Sequence, residues 1–223
     1  MKYDNISDFN KYFSFWNYLT DSERDLVERY ARTVRFSKGE NIHNGGNECI
    51  GMLLVKSGTL RTYMLSEEGR EITLYRNYEG DVSILSASCV LESITFEVFI
   101  DSEEDSEVLI INASAFAQLM NSNVYVECYA YRQAASSFSN VMWALQQILF
   151  MSFDRRLALF LYEELKKTGG NTVFLTHEQV AKYMGSAREV VSRMLKYFVS
   201  EGIVELSRGG IKIIDFNKLE LLI

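Results

Sequence analysis

The chain has 223 residues, of which 48% are hydrophobic, and a formal charge of −7. That length allows one large domain or two modest ones with substantial cores, and no run of eighteen apolar residues is present to span a bilayer. Three scattered cysteines without a Cys-x-x-Cys pair argue against a disulfide scaffold and for reduced thiols in the cytoplasm.

The opening MKYDNISDFN lacks the basic start and apolar core of a signal peptide. Proline is absent, so turns must rest on Gly, Asn, Asp and Ser. From about Val34 to Ile111, short β-rich runs alternate with glycines at 39, 45, 46, 51, 58, 69 and 80. Met52–Val55, Thr59–Met64 and Glu71–Tyr75 are three such runs. Regular short strands between glycine turns predict a small sandwich or barrel, and a double-sheet jelly roll fits.

A long helix is predicted from about Val124 to Met151. Tyr131, Ala134, Phe138, Val141, Leu145 and Ile148 recur along it at three- and four-residue spacing. Sustained a/d spacing predicts a seam between two copies of the helix; the alternative is one helix packed on its own domain. Ser152-Phe153-Asp154 reads as a hinge.

Thr176 to Leu206 reads as two helices and a strand. Thr176 can cap the first helix with Gln179 completing a capping box, and Val180, Ala181 and Met184 share a face. Gly185 supplies the break that a steep crossing needs. Ser186 is expected to start the second helix, with Glu189 at its capping-box position. Val190, Val191, Met194, Leu195 and Phe198 form the predicted buried stripe, and Gly202 is placed to end the helix. Arg188, Glu189, Ser192, Arg193 and Lys196 fall on the other face. That is chemistry for a major groove: Arg grips guanine O6 and N7, and Glu accepts from cytosine N4. Thr176, Ser186 and Lys196 suit phosphates, which set register. The alternative is a solvated face whose charges pair with each other. Apolar residues flanking Arg208-Gly209-Gly210 predict a hairpin, a wing whose Arg208 could reach the DNA backbone. Charge is split accordingly: residues 150–223 carry 11 Lys or Arg against 9 Asp or Glu, and residues 1–149 carry 12 against 21.

REVVSRML followed by a wing resembles the DNA-binding domain of the Crp/Fnr superfamily of bacterial regulators. Glu189, then Ser192-Arg193, looks more like the Fnr-type branch than the Crp-type. Phe153 to Leu165 resembles the family's opening helix, with Arg156-Leu157-Ala158 at its Arg-Leu/Ile-Ala. Phe36-Ser-Lys-Gly-Glu, Lys56-Ser-Gly and Tyr78-Glu-Gly-Asp81 resemble turns of cyclic-nucleotide-binding-like domains. The resemblance covers nearly the whole chain. It implies an α+β architecture: a β-roll sensor over 1–123, a dimerisation helix and hinge over 124–152, and a winged helix-turn-helix over 153–223. It also implies Arg188, Glu189, Ser192 and Arg193 as base-reading residues of a homodimer on a pseudo-palindromic site. A small-molecule effector and RNA polymerase are the further partners implied, in a cytoplasmic protein with no membrane contact.

The family's phosphate cassette pairs Gly-Glu with a following Arg-Ser. Here Gly80-Asp81 is followed by Ser93, Ile94 and Thr95 where the cation is expected, so cyclic AMP and cyclic GMP are not expected ligands. Ser86, Ser88, Cys89 and Thr95 either line a pocket for another small molecule or simply pack the roll. An iron–sulfur cluster needs four thiolates, and Cys49, Cys89 and Cys128 are only three. Haem is not expected either, because His177 belongs to the helix-turn-helix and His43 reads as a roll surface residue. No metal site is expected. The rival classes are a cupin-like metalloenzyme, poorly served by two distant histidines, and a ligand-binding module without DNA activity.

Overall fold

The computed structural model describes residues 6–45, 50–84 and 97–223. The chain divides into two compact units, residues 1–64 with 74–142, and residues 65–73 with 143–223. In chain order the elements of the first part are α1 (Ile6–Tyr12), α2 (Asp21–Tyr30), β1 (Ala31–Phe36), β2 (Asn41–Asn44), β3 (Met52–Ser57), β4 (Leu60–Leu65), β5 (Glu71–Asn77), β6 (Val82–Ser83), β7 (Phe99–Ser102) and β8 (Ser106–Ile111). Then follow α3 (Ala113–Ser122), α4 (Val124–Phe150), α5 (Phe153–Thr168), β9 (Thr172–Val173), α6 (His177–Met184), α7 (Arg188–Ser200), β10 (Val204–Ser207), β11 (Gly210–Ile213) and α8 (Phe216–Leu221).

Among the described residues the roll has two four-stranded sheets, β1-β8-β3-β6 and β2-β7-β4-β5. Alternation along the strands decides what each face meets. Leu53 and Val55 of β3, with Val108 and Ile110 of β8, turn inward to Ile42, Leu60 and Ile100. Met52, Leu54, Leu109 and Ile111 turn the other way, onto Phe9, Phe13 and Trp16 of the N-terminal segment, Phe116 of α3, and Val126 and Ala130 of α4. This sheet is buried on both faces, which is why β3 reads as a continuous apolar run.

His43 is not a surface residue: it is 7% exposed. A register shift between Asn41 and His43 breaks the alternation of β2, so that Ile42 and His43 are both buried. A bulge of this kind leaves no trace in residue periodicity. Burial lowers the pKa of His43, and Glu97 opposes the shift.

In the second unit, α5, α6, α7 and a three-stranded sheet enclose one core, in which Leu157, Leu161, Val180, Val191, Leu195, Phe198 and Ile211 are fully or nearly fully buried. The sheet order is β10-β11-β9, with Lys212 of β11 opposite Thr172 of β9. The third strand was not foreseen from the sequence, because two residues are too few to show a period.

Candidate nucleic-acid interface

Thr176 caps α6 in a full capping box, with its Oγ1 accepting from the Gln179 backbone N–H at 3.2 Å and Gln179 Oε1 accepting from the Thr176 N–H at 2.8 Å. Its hydroxyl therefore serves the helix itself. Gly185 follows in the left-handed region, φ 60°, and the Ser186 N–H donates back to the Ala181 carbonyl at 2.9 Å. A Cβ at Gly185 would stand 2.8 Å from Ile72 Cγ1, so only glycine suits both the turn and the packing. Ser186 thus closes α6 rather than opening α7. The N-cap of α7 is Ala187, with no side-chain cap, and the expected box with Glu189 does not form.

Val191, Leu195 and Phe198 bury one face of α7. On the opposite face Arg188, Glu189, Ser192, Arg193 and Lys196 line a single open depression of about 440 Å³. These are the five residues that helical spacing placed on one face. Arg188 Nε stands 3.9 Å from Glu178 Oε2, with both side chains largely exposed. Such a solvated pair holds its partners weakly, leaving the guanidinium available. Among the described residues neither Arg193 nor Lys196 has an ion-pair partner.

Sequence reasoning missed the part played by His177. Its Nδ1 shares a 2.9 Å hydrogen bond with Ser192 Oγ, joining the first turn of α6 to the middle of α7. Burial lowers the imidazole pKa, helped by the positive charges of Arg188 and Lys196. The signal available was only a histidine following a helix cap.

The wing forms as expected. Ser207 pairs with Gly210, leaving Arg208 and Gly209 as a two-residue turn in which Gly209 takes φ 89°. Arg208 is exposed at the tip.

Among the exposed apolar residues of α4, which also include Val124, Tyr125, Trp143, Ile148 and Phe150, a stripe of Tyr131, Ala135, Phe138, Met142, Leu145 and Leu149 is spaced four and three residues in alternation. The expected seam named Ala134, Val141 and Ile148 instead of Ala135, Met142 and Leu149. Ala134 and Val141 are half-buried, and Ala134 packs on the roll's outer core. Ile148 is 36% exposed and borders the stripe.

In the roll, Ser86, Ser88, Cys89 and Thr95 lie outside the described residues. A different polar group is present inside it. Thr62 Oγ1, Ser83 Oγ and the Tyr75 hydroxyl are buried, and among the described residues they meet no polar partner beyond this group of hydroxyls. Burial raises the Tyr75 pKa, while the hydroxyls of Ser137, Thr62 and Ser83 pull it back down. The phenol thus lies among three hydroxyls that act on it at hydrogen-bonding range. Arg61 lies on the other face of β4, over the Tyr63 ring at 4.3 Å, and Arg76 is held by Glu103 at 2.7 Å.

A capped helix-turn-helix with a cationic outer face and a β-wing, on a chain that also carries a jelly roll and a long helix, defines a DNA-binding transcription regulator. No described helix is long and apolar enough to cross a membrane. Residues 155–222 match the Crp-like helix-turn-helix domain, and residues 33–123 match the cyclic nucleotide-binding domain. A solved structure from Eubacterium rectale, assigned to the Crp/Fnr family of transcriptional regulators, is 48% identical over 95% of this chain and 98% of that one, with a TM-score of 0.92. Electron transport regulator A of Shewanella oneidensis is 25% identical over 91% of this chain and 81% of its own. The cyclic AMP receptor protein of Thermus thermophilus is 25% identical over 91% and 93%. The chain belongs to the Crp/Fnr family: it is a transcription regulator, not an enzyme.

Proposed function

We propose that the protein works as a homodimer joined along α4, reads a two-fold symmetric DNA site, and is tuned by a small neutral ligand inside the roll. The observation that carries the dimer is the apolar stripe on α4, where Phe138 is 64% exposed and Leu149 62%. Its four-three spacing is that of two helices packed side by side. A two-fold dimer presents two recognition helices to successive major grooves. Arg188, Glu189 and Arg193 form the reading surface with Ser192 between them, Ser186, Lys196 and Arg208 lie toward the backbone, and RNA polymerase is the expected partner of the bound dimer. Sedimentation with selected DNA tests this: two protomers per duplex are expected, with half-site centres about one helical turn apart. A stable complex of one protomer with one half-site would contradict it.

The ligand reading rests on the hydroxyl cluster. Buried polar atoms normally find partners, and among the described residues Thr62, Tyr75 and Ser83 have none beyond their own cluster of hydroxyls. They offer donors and acceptors without charge, which suits a neutral ligand better than a cyclic phosphate. No iron–sulfur, haem or metal requirement is part of this reading. A bound ligand shifts the DNA-competent population only by its differential affinity for the two states.

A further inference from the structure

Ser192 occupies the centre of the reading face, but its hydroxyl is already engaged by His177 Nδ1 at 2.9 Å. A serine held in this way is poorly placed to follow a base edge. The same bond fixes the imidazole plane and leaves Nε2 as the ring's remaining polar atom. His177 is the first residue of α6, next to the Thr176 cap, and it stands among the cations of the reading face. We propose that His177 is a DNA-backbone contact, held in place by Ser192, and that it takes up a proton as the operator docks, so that DNA affinity rises as pH falls. This rests on the reading of α7 as the recognition helix.

The charged groups around the ring are few. From α7, Arg188 and Lys196 both disfavour its protonation. From its own helix there is Glu178, which is exposed and faces Arg188 at 3.9 Å. In free protein the imidazole therefore takes up its proton less readily than an ordinary histidine. Docked DNA changes both influences at once. Its phosphates screen Arg188 and Lys196, and they place negative charge beside the ring. Both changes favour the imidazolium, so the bound form holds its proton to a higher pH than the free form. Between the two values binding is linked to proton uptake, and affinity grows with acidity. Below the lower value both forms are charged and the dependence ends. Ser192 can serve either protonation state of Nδ1, because a hydroxyl both donates and accepts.

The test is the affinity of the full-length protein for a selected operator duplex, by fluorescence anisotropy at fixed salt from about pH 8 to about pH 6. One linked proton per protomer allows at most about tenfold tighter binding per pH unit for each protomer engaged. The expected result is a several-fold gain toward pH 6 in the parent protein. His177→Gln should bind with a flat profile. His177→Arg, with permanent charge, should also be flat, and tighter than the parent at pH 8. Ser192→Ala should weaken selected and scrambled duplexes alike, without altering base preference. A parent profile as flat as that of His177→Gln, with sequence-specific binding intact, overturns the proposal and leaves the recognition helix standing. A changed base preference in Ser192→Ala overturns the holding role assigned to Ser192. Absence of sequence-selective binding at every pH would overturn the recognition-helix reading, and the proposal with it.

Discussion

Arg156 Nη2 donates to the Met184 carbonyl at 2.7 Å. Met184 is the last residue of α6, where carbonyls have no partner within the helix. The next carbonyl, that of Gly185, accepts from Arg70 Nε at 2.6 Å. Two guanidinium groups thus close the negative end of α6, a favourable place for positive charge. Arg156→Ala should lower unfolding free energy by about 1.5–3 kcal/mol, the range for a hydrogen bond to a charged group. Chemical denaturation measures this; an unchanged midpoint and slope would show that solvent replaces the guanidinium without cost.

Phe138→Glu, Leu145→Glu and Met142→Glu should each break the dimer, because each places an unpaired charge in a surface that association would desolvate. Val141→Glu should instead damage folding before assembly, since Val141 is half-buried at the flank of the stripe. Light scattering with circular dichroism separates the two outcomes. A folded Phe138→Glu protein of unchanged dimer mass would remove the stripe from the interface.

Arg193→Ala should cost more selectivity than Lys196→Ala. Loss of a bidentate guanine contact costs about 1–3 kcal/mol and relaxes choice at one base pair. Lys196 lies nearly one turn further along α7, so its loss should weaken all sequences similarly and flatten the salt dependence. Binding to selected and scrambled duplexes over a salt series distinguishes them. Equal weakening of both duplexes by Arg193→Ala would make that residue a phosphate anchor.

Cyclic AMP and cyclic GMP should show no micromolar binding in titration calorimetry, because Ser93, Ile94 and Thr95 stand where the family's cation is expected. Measured affinity in that range would mean that another cation serves the phosphate.

Thr62→Val should stabilise the ligand-free protein by about 1 kcal/mol, since it removes a buried hydroxyl that makes no well-formed hydrogen bond among the described residues and keeps the shape. Thermal unfolding checks this. A loss of stability would mean that the hydroxyl is satisfied by water, and the case for a ligand there would weaken.

The recognition unit was legible in the sequence because its signals are local. Thr176 and Gln179 lie three residues apart, Gly185 marks the turn, and Arg188 to Lys196 fit within one short helix. The start of α7 was misread because Ser186 is a common capping residue whose backbone here is committed to closing α6 instead. Along α4 the four-three exposed stripe passes through Ala135, Met142 and Leu149, where the expected seam had named Ala134, Val141 and Ile148. A helix with two apolar faces gives the same periodicity for either, and only the roll against Ala134 and Ser137 shows which side is taken. The hydroxyl cluster was invisible for a related reason. Thr62, Tyr75, Ser83 and Ser137 sit on four separate elements, and nothing in linear order brings them together.

In the proposed dimer, the stripe on α4 would also make regulation a matter of abundance. Protomers that associate only through it follow mass action, so at low copy number the concentration of two-headed protein falls with the square of the protomer concentration. Occupancy of a symmetric operator would then respond more steeply than linearly to expression level. Modest changes in synthesis or turnover would act as a signal of their own, beside any ligand in the roll.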